Sequence, residues 1–269
     1  MKNIVLSGGG MKGICYTSLL KLFNEYNLYE KIEKYGGSSV GALYSLLLLL
    51  EYDYDDIYNL IINNNFEKFT SLDILGFMSN YGICNQKKMK SIIEILIKRK
   101  VNNKDITFIE LYNLKKKELH IVSFDISNGK NIIFNKNKTP NIKVVDSICA
   151  SCCIPILFGP YEINNIKYID NFKNNNFPLY IFNDDLDNTL GIDVSEIKYK
   201  EIKNIKNYFE NLLNSIIYND NLKEKLKNYI SLKTNIDKLN FILDRKTKKK
   251  EIENSYNLLK SNLKSLKII

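Results

Sequence analysis

The sequence predicts an α/β domain with a mainly parallel sheet. Twice in the first 50 residues, a short apolar run ends in glycines and passes into a segment of helical periodicity. Later strand-length runs at 119–126 and 190–194 are separated from these by further helical stretches. Strands alternating with helices in this way are the pattern of βαβ units and hence of a parallel sheet.

Taken in order, residues 3–7 form an apolar strand ending at Gly8-Gly9-Gly10. Residues 11–24 are helical, with Cys15, Leu19, Leu20 and Phe23 on one face. A second strand at 32–35 runs into Gly36-Gly37-Ser38-Ser39, and 40–50 is a helix apolar nearly all round, therefore buried. Helices follow near 55–63, 87–100 and 108–112, then a strand at 119–126 that pairs with 131–134 across Ser127-Asn128-Gly129. Residues 142–152 are a helix stopped before Pro155. Residues 161–163 and 166–169 make a hairpin, because Asn164-Asn165 tolerates the positive φ of a tight turn. After the strand at 190–194 the chain reads as helical from about residue 198.

Composition narrows the chemistry. The 269 residues are 45% hydrophobic and 26% charged, which excludes wholesale disorder. One histidine, His120, rules out multi-histidine metal centres. Five cysteines, an odd number set in apolar segments, read as reduced intracellular thiols. Cys149 and Cys152 match C-x-x-C, but zinc needs two further ligands and no second pair exists, so neither metal nor cofactor is expected. The N-terminal apolar run is too short for a secretory signal, and the run through Leu46–Leu50 falls well short of the roughly 20 residues that span a bilayer. The expected location is cytoplasmic, with peripheral membrane contact. Residues 1–195 carry 22 Lys and Arg against 21 Asp and Glu, whereas 196–269 carry 17 against 9. A nearly neutral domain over 1–195 and a basic helical extension over 196–269, packed on or beside it, are the expected organisation.

Two glycine motifs carry the chemistry. Gly8-Gly9-Gly10-Met11-Lys12-Gly13 follows a strand and opens a helix, so backbone N–H groups can meet an anion there. Literally it is the dinucleotide-binding G-x-G-x-x-G, and a phosphate and an oxyanion pose that loop the same electrostatic problem. The second strand separates the two readings. It ends in Gly37-Ser38-Ser39-Val40-Gly41, a G-x-S-x-G between strand and helix, where a dinucleotide site would place an acidic residue. Small neighbours there permit a strained turn that projects the Ser39 hydroxyl. Ser39 then needs a base. His120 sits inside an alternating strand and reads as structural; Asp170, ending the hairpin, is the best candidate, with Asp125 and Asp146 as alternatives.

These residues resemble the patatin-like phospholipases, which share a G-G-G-x-[KR]-G loop, a G-x-S-x-G elbow and a D-G-[GA] motif. Gly8 to Gly13, with Lys12 in the basic position, matches the first, and Gly37 to Gly41 the second. Tyr81-Gly82-Ile83, Thr107-Phe108, Ser123-Phe124-Asp125, Ala150-Ser151-Cys152-Cys153-Ile154-Pro155, Asn176-Phe177-Pro178 and Gly191-Ile192-Asp193 are similarly placed, so the likeness runs unbroken over about residues 3–195. It implies a three-layer α/β/α sandwich, a Ser39–Asp170 dyad, an oxyanion hole in the Gly8–Gly13 loop, and hydrolysis of fatty-acyl esters through an acyl-enzyme. The departure is Asp170-Asn171-Phe172, where asparagine stands for the glycine and preserves a left-handed turn, while Phe172 adds bulk. That departure motivates the alternative of a weakened homologue serving as a membrane- or protein-binding module.

The basic C-terminus places Ile252, Tyr256, Leu259, Leu263 and Leu266 at steps of three and four, with lysines elsewhere on the wheel. Such a helix suits either packing on the domain or an anionic membrane surface, and for a lipid-directed enzyme the membrane is the preferred functional reading. No nucleic-acid motif accompanies the lysines, so no nucleic-acid partner is expected.

Overall fold

The computed structural model describes residues 1–66, 81–84, 86–171, 176–196, 199–216 and 224–269. Its strands are β1 (Asn3–Leu6), β2 (Lys34–Ser38), β3 (Gly82–Cys84), β4 (Glu118–Asp125), β5 (Lys130–Phe134), β6 (Ile156–Phe158), β7 (Tyr161–Ile163), β8 (Ile166–Ile169), β9 (Thr189–Asp193) and β10 (Asn228–Ser231). The α-helices are α1 (Thr17–Glu25), α2 (Val40–Leu49), α3 (Tyr54–Asn63), α4 (Lys87–Val101), α5 (Phe108–Lys115), α6 (Val144–Ser151), α7 (Ile205–Ile216) and α8 (Arg245–Ser265).

The main sheet has the order β10-β9-β1-β2-β4-β8-β7, with β5 also paired to β4. From β10 to β4 the pairs are parallel; β8, β7 and β5 add antiparallel pairs at the β4 side. Every residue of β1 is buried, as a strand covered on both faces requires. On one face, Ile4, Leu6, Tyr35, Ile121 and Ile192 pack against α1, α2, α6 and α8 in one large core. On the other, Val5 packs with Phe177, Leu179 and Phe182, so 3-10 turns over Leu179–Asn188 form the covering layer among the described residues. This is the mixed α/β fold expected, with a central, mainly parallel sheet.

Several elements differ in ways that bear on the site. The first helix begins as a 3-10 stretch, Gly10–Tyr16, before α1, because Gly10 turns at φ +56° and the following turns are fully packed. The strand expected at 32–35 instead runs through Gly36 and Gly37 to Ser38, so the glycines belong to the sheet and the turn falls on Ser39. The hairpin turn has Asn164 and Asn165 at φ 52° and 62°, as expected for adjacent asparagines.

The C-terminal region is not purely helical. Asn228–Ser231 forms β10 and extends the sheet beside β9, its Ile230 buried, a signal too short to separate from helix by periodicity. The apolar face of α8 is also committed: Ile252, Leu259 and Leu263 are 2%, 0% and 0% exposed, and the Ser18 hydroxyl of α1 donates to Ile252 O at 3.0 Å. That face, proposed for membrane docking, is thus packed in the core, and α8 shows solvent most of its lysines and Leu258. One lysine is itself structural: Lys248 Nζ donates to Ile61 O and Asn64 O at 3.2 and 2.7 Å, at the C-terminal end of α3.

Candidate active site

Ser39 sits between β2 and α2 at φ 53°, ψ −126°, a conformation that costs a non-glycine residue about 1–3 kcal/mol. The surroundings hold it there. Its N–H donates to Ser151 Oγ at 2.8 Å, and its C=O accepts from the N–H groups of Ala42 and Leu43 at 2.9 and 3.2 Å. Gly41 is required by close approach, since a Cβ there would lie 2.4 Å from Leu6 O and 2.5 Å from Ser7 O. The elbow is thus pressed directly onto the end of β1. The Ser39 side chain makes no helix-cap bond, which leaves its hydroxyl for other partners.

Asp170 follows β8, and its N–H is fixed to Cys153 O at 2.8 Å. The hairpin and the turn after α6 together bring the Asp170 carboxyl to a small chamber that Ser39 also lines. Asp170 is 2% exposed and Ser39 4%. Burial pushes the Asp170 carboxyl up to about 7, against the opposing pull of the Ser39 hydroxyl and the Lys238 ammonium. Burial also keeps the neighbouring Cys152 thiol neutral by raising it well above its ordinary value.

The alternative bases are engaged elsewhere. His120 contacts Glu118 Oε2 at 3.1 Å and Asn135 Nδ2 at 3.3 Å, with its ring against Phe182. Asp125 accepts from Asn128 in the turn after β4, and Asp146 pairs with Lys90 at 2.9 Å.

The glycine loop lies across from Ser39. The Gly8 N–H is taken by Asn176 O and the Met11 N–H by Lys238 O at 2.9 Å. Among the described residues, the N–H groups of Gly9 and Gly10 make no backbone hydrogen bond, whereas those of Gly8, Met11 and Lys12 do. Gly10 admits no side chain: a Cβ would lie 2.3 Å from Lys238 O. Lys12 is buried and its Nζ donates to Glu196 O at 2.9 Å. Gly13 meets Val40, which ties the loop to the elbow helix. Ser38 is buried at the end of β2, next to Gly37.

Asn171 does not adopt the left-handed turn expected of it. Its φ is not positive; its side chain is buried and donates to Tyr180 Oη at 3.1 Å, which holds the backbone after Asp170 through a side-chain bond. Phe172 lies outside the described residues. Among the described residues, Ser39 borders both a larger and a smaller space. A cavity of about 540 Å³ runs between Leu43, Leu47, Leu60, Ile92, Cys152 and Phe241. On its other side is a chamber of about 30 Å³, whose wall includes Asp170, Asn176, Glu210 and Lys238. Ser151 and Asn176 lay within motifs the sequence displayed, without a role; nothing in the sequence pointed to Lys238 or Glu210.

A serine at a strained strand-to-helix turn, beside a buried carboxyl and an apolar cavity, places the molecule among α/β proteins of acyl-hydrolase architecture. Residues 4–182 match the family model described as patatin-like phospholipase, and the chain belongs to that family. A probable lipid hydrolase of Invertebrate iridescent virus 6 is 32% identical over 187 residues, covering 67% of this chain and 62% of that protein. Triacylglycerol lipase 4 of Saccharomyces cerevisiae is 25% identical over 208 residues, covering 65% of this chain and 22% of the lipase. Among solved structures, VipD of Legionella pneumophila has a TM-score of 0.67 at 16% identity, covering 98% of this chain and 67% of that one. ExoU, crystallised with SpcU from Pseudomonas aeruginosa, has a TM-score of 0.55 at 15% identity, covering 99% and 52%. The chain spans less than two thirds of the length of the viral relatives it matches first, at 65% and 62%.

Proposed function

We propose that this chain is a lipid acyl hydrolase that cleaves fatty-acyl esters of phospholipids or related lipids through an acyl-enzyme on Ser39. The observation that carries the reading is Ser39 at a strained turn, sharing a small chamber with the buried Asp170 and lining an apolar cavity of about 540 Å³. Such a cavity accepts an acyl chain and excludes water from it, within the usual range for ligand sites. A carboxyl raised to about 7 is a stronger base than an exposed aspartate and is still ionised at cellular pH in a substantial fraction.

Asp170 takes the Ser39 proton as Oγ attacks the ester carbonyl. The N–H groups of Gly9 and Gly10 stabilise the oxyanion that forms, worth about 3–4 kcal/mol per donor in comparable sites. Collapse expels the alcohol, protonated from Asp170, and leaves the acyl group on Ser39. Water then releases the fatty acid. The alternative, a weakened homologue that binds membranes or partners, rests on Asn171-Phe172; a buried bond from Asn171 to Tyr180, which holds the chain beside Asp170, weighs against it. An anionic membrane as the place of action rests on the exposed lysines of the C-terminal region.

A fluorophosphonate probe tests the reading. Labelling of the folded wild type that is lost in Ser39→Ala, together with lost ester hydrolysis, supports it. Absence of labelling of the wild type favours the binding module.

A further inference from the structure

We propose that the small chamber beside Ser39, walled by Asp170, Asn176 and Lys238, holds the water that hydrolyses the acyl-enzyme. The inference rests on the Ser39 reading above and assigns Asn176 and Lys238 to the second half of that reaction.

The chamber has a volume of about 30 Å³, room for one or two waters and too little for a lipid headgroup. Ser39 and Gly10 border both this chamber and the apolar cavity, so the serine stands between the space for the acyl chain and one with Asp170, Asn176 and Lys238 on its wall. Two buried acceptors on the chamber wall, Asp170 Oδ1 and Asn176 Oδ1, have no hydrogen-bond partner among the described residues. An acceptor left unpaired in the interior costs about 1–3 kcal/mol, and a water donating to both removes that cost twice over. Lys238 supplies the complementary donor. Its Nζ gives one proton to Asn214 Oδ1 at 2.9 Å, and an ammonium carries two more. Its charge also acts on Asp170. The Lys238 backbone is held by the Met11 N–H against the glycine loop, which fixes the side chain relative to the oxyanion donors.

A water that donates to Asp170 Oδ1 and Asn176 Oδ1 and accepts from Lys238 has one lone pair left for the Ser39 acyl carbon. Its oxygen forms the new C–O bond while a proton passes to the Asp170 carboxylate. The tetrahedral intermediate collapses with rupture of the carbonyl carbon–Oγ bond, and Oγ takes the proton back from Asp170. The fatty acid leaves, losing its own proton to solvent, and both residues return to their starting states. Asn176 and Lys238 are needed for this step and not for the first attack, in which the nucleophile is Oγ.

The two halves separate kinetically with p-nitrophenyl butyrate, because nitrophenolate release reports acylation as a burst and deacylation as the steady slope. In Asn176→Ala of the full chain, and in Lys238→Met assayed at a pH above its own rising limb, the burst rate is expected within about twofold of wild type. The steady slope is expected to fall about tenfold or more. A butyryl adduct on Ser39 should accumulate by intact mass. Equal falls in burst and slope, or no change in either, overturn the proposal. If Asn176→Ala loses its native circular-dichroism spectrum, Lys238→Met alone decides. Hydrolysis persisting in Ser39→Ala would instead sink the serine reading, a result separate from these.

Discussion

The Ser151 hydroxyl at the end of α6 accepts the Ser39 N–H at 2.8 Å and donates to Val122 O at 2.6 Å. One side chain therefore ties the strained elbow to the middle of the sheet. Ser151→Ala leaves the Ser39 N–H and the Val122 carbonyl unpaired in a buried setting. The variant should lose about 1–3 kcal/mol in urea unfolding and lose turnover more than substrate affinity. Normal kcat with only a stability loss would show that the bond braces the fold and not the nucleophile.

The Asp170 carboxyl sets the pH profile. With the base working only when ionised, kcat/KM should rise with pH and level off above about 7. The charged group facing it is Lys238, itself pushed down to about 8 by burial and by the nearby Lys12 ammonium. Lys238→Met removes a charge that favours the carboxylate, so the rising limb should move to higher pH. An unmoved limb would detach Lys238 from Asp170.

The same carboxyl costs stability. Its ordinary value of 3.8 rises to about 7 on folding, so the folded state holds the extra proton between those values. The group's contribution is greatest below pH about 4 and is lost as pH rises through about 7. Asp170→Asn, uncharged at every pH, should abolish turnover and at pH 8 stabilise the protein by roughly 1–3 kcal/mol relative to wild type. Thermal unfolding at pH 4 and pH 8 checks the sign, since the advantage should shrink at the lower pH.

Filling the apolar cavity should select short acyl chains. Leu43 is half-buried on its wall, close to the elbow helix. Leu43→Trp is expected to cut kcat/KM for p-nitrophenyl palmitate about tenfold or more and leave the butyrate ester nearly unaffected. A uniform fall on both would place the acyl chain elsewhere.

Removing residues 248–269 should unfold the protein, because it exposes the α1 surface that Ile252, Leu259 and Leu263 cover. Three such side chains, at about 1.5–3 kcal/mol each, take about 5–9 kcal/mol from the roughly 5–15 kcal/mol margin of an ordinary domain. Charge reversal at the exposed Lys249, Lys250 and Lys264 should leave the melting temperature within a few degrees. It should also weaken binding to anionic vesicles, read by co-sedimentation, and unchanged binding would remove these lysines from membrane contact.

The strand-glycine-helix order, the two glycine motifs and the Asn164-Asn165 turn were all legible in the sequence, because each rests on local backbone chemistry. Glycine marks the close approach of Gly41 to the end of β1, and alternation marks β4, whatever surrounds them. The same locality put Ser39 at its turn. What only tertiary structure decided was partnership across the chain. Asp170 shares a chamber with Ser39 while Asp125 and Asp146 are engaged with Asn128 and Lys90, and His120 contacts Glu118 and Asn135. Asn171 was read as a backbone device and is a side-chain one, a difference set by Tyr180 nine positions on. The basic C-terminal region, legible only as charge and helical periodicity, lays a strand on the sheet, buries the apolar face of α8 and brings Lys238 to the serine. Local pattern fixes what each segment can be; burial and long-range pairing choose which residues meet.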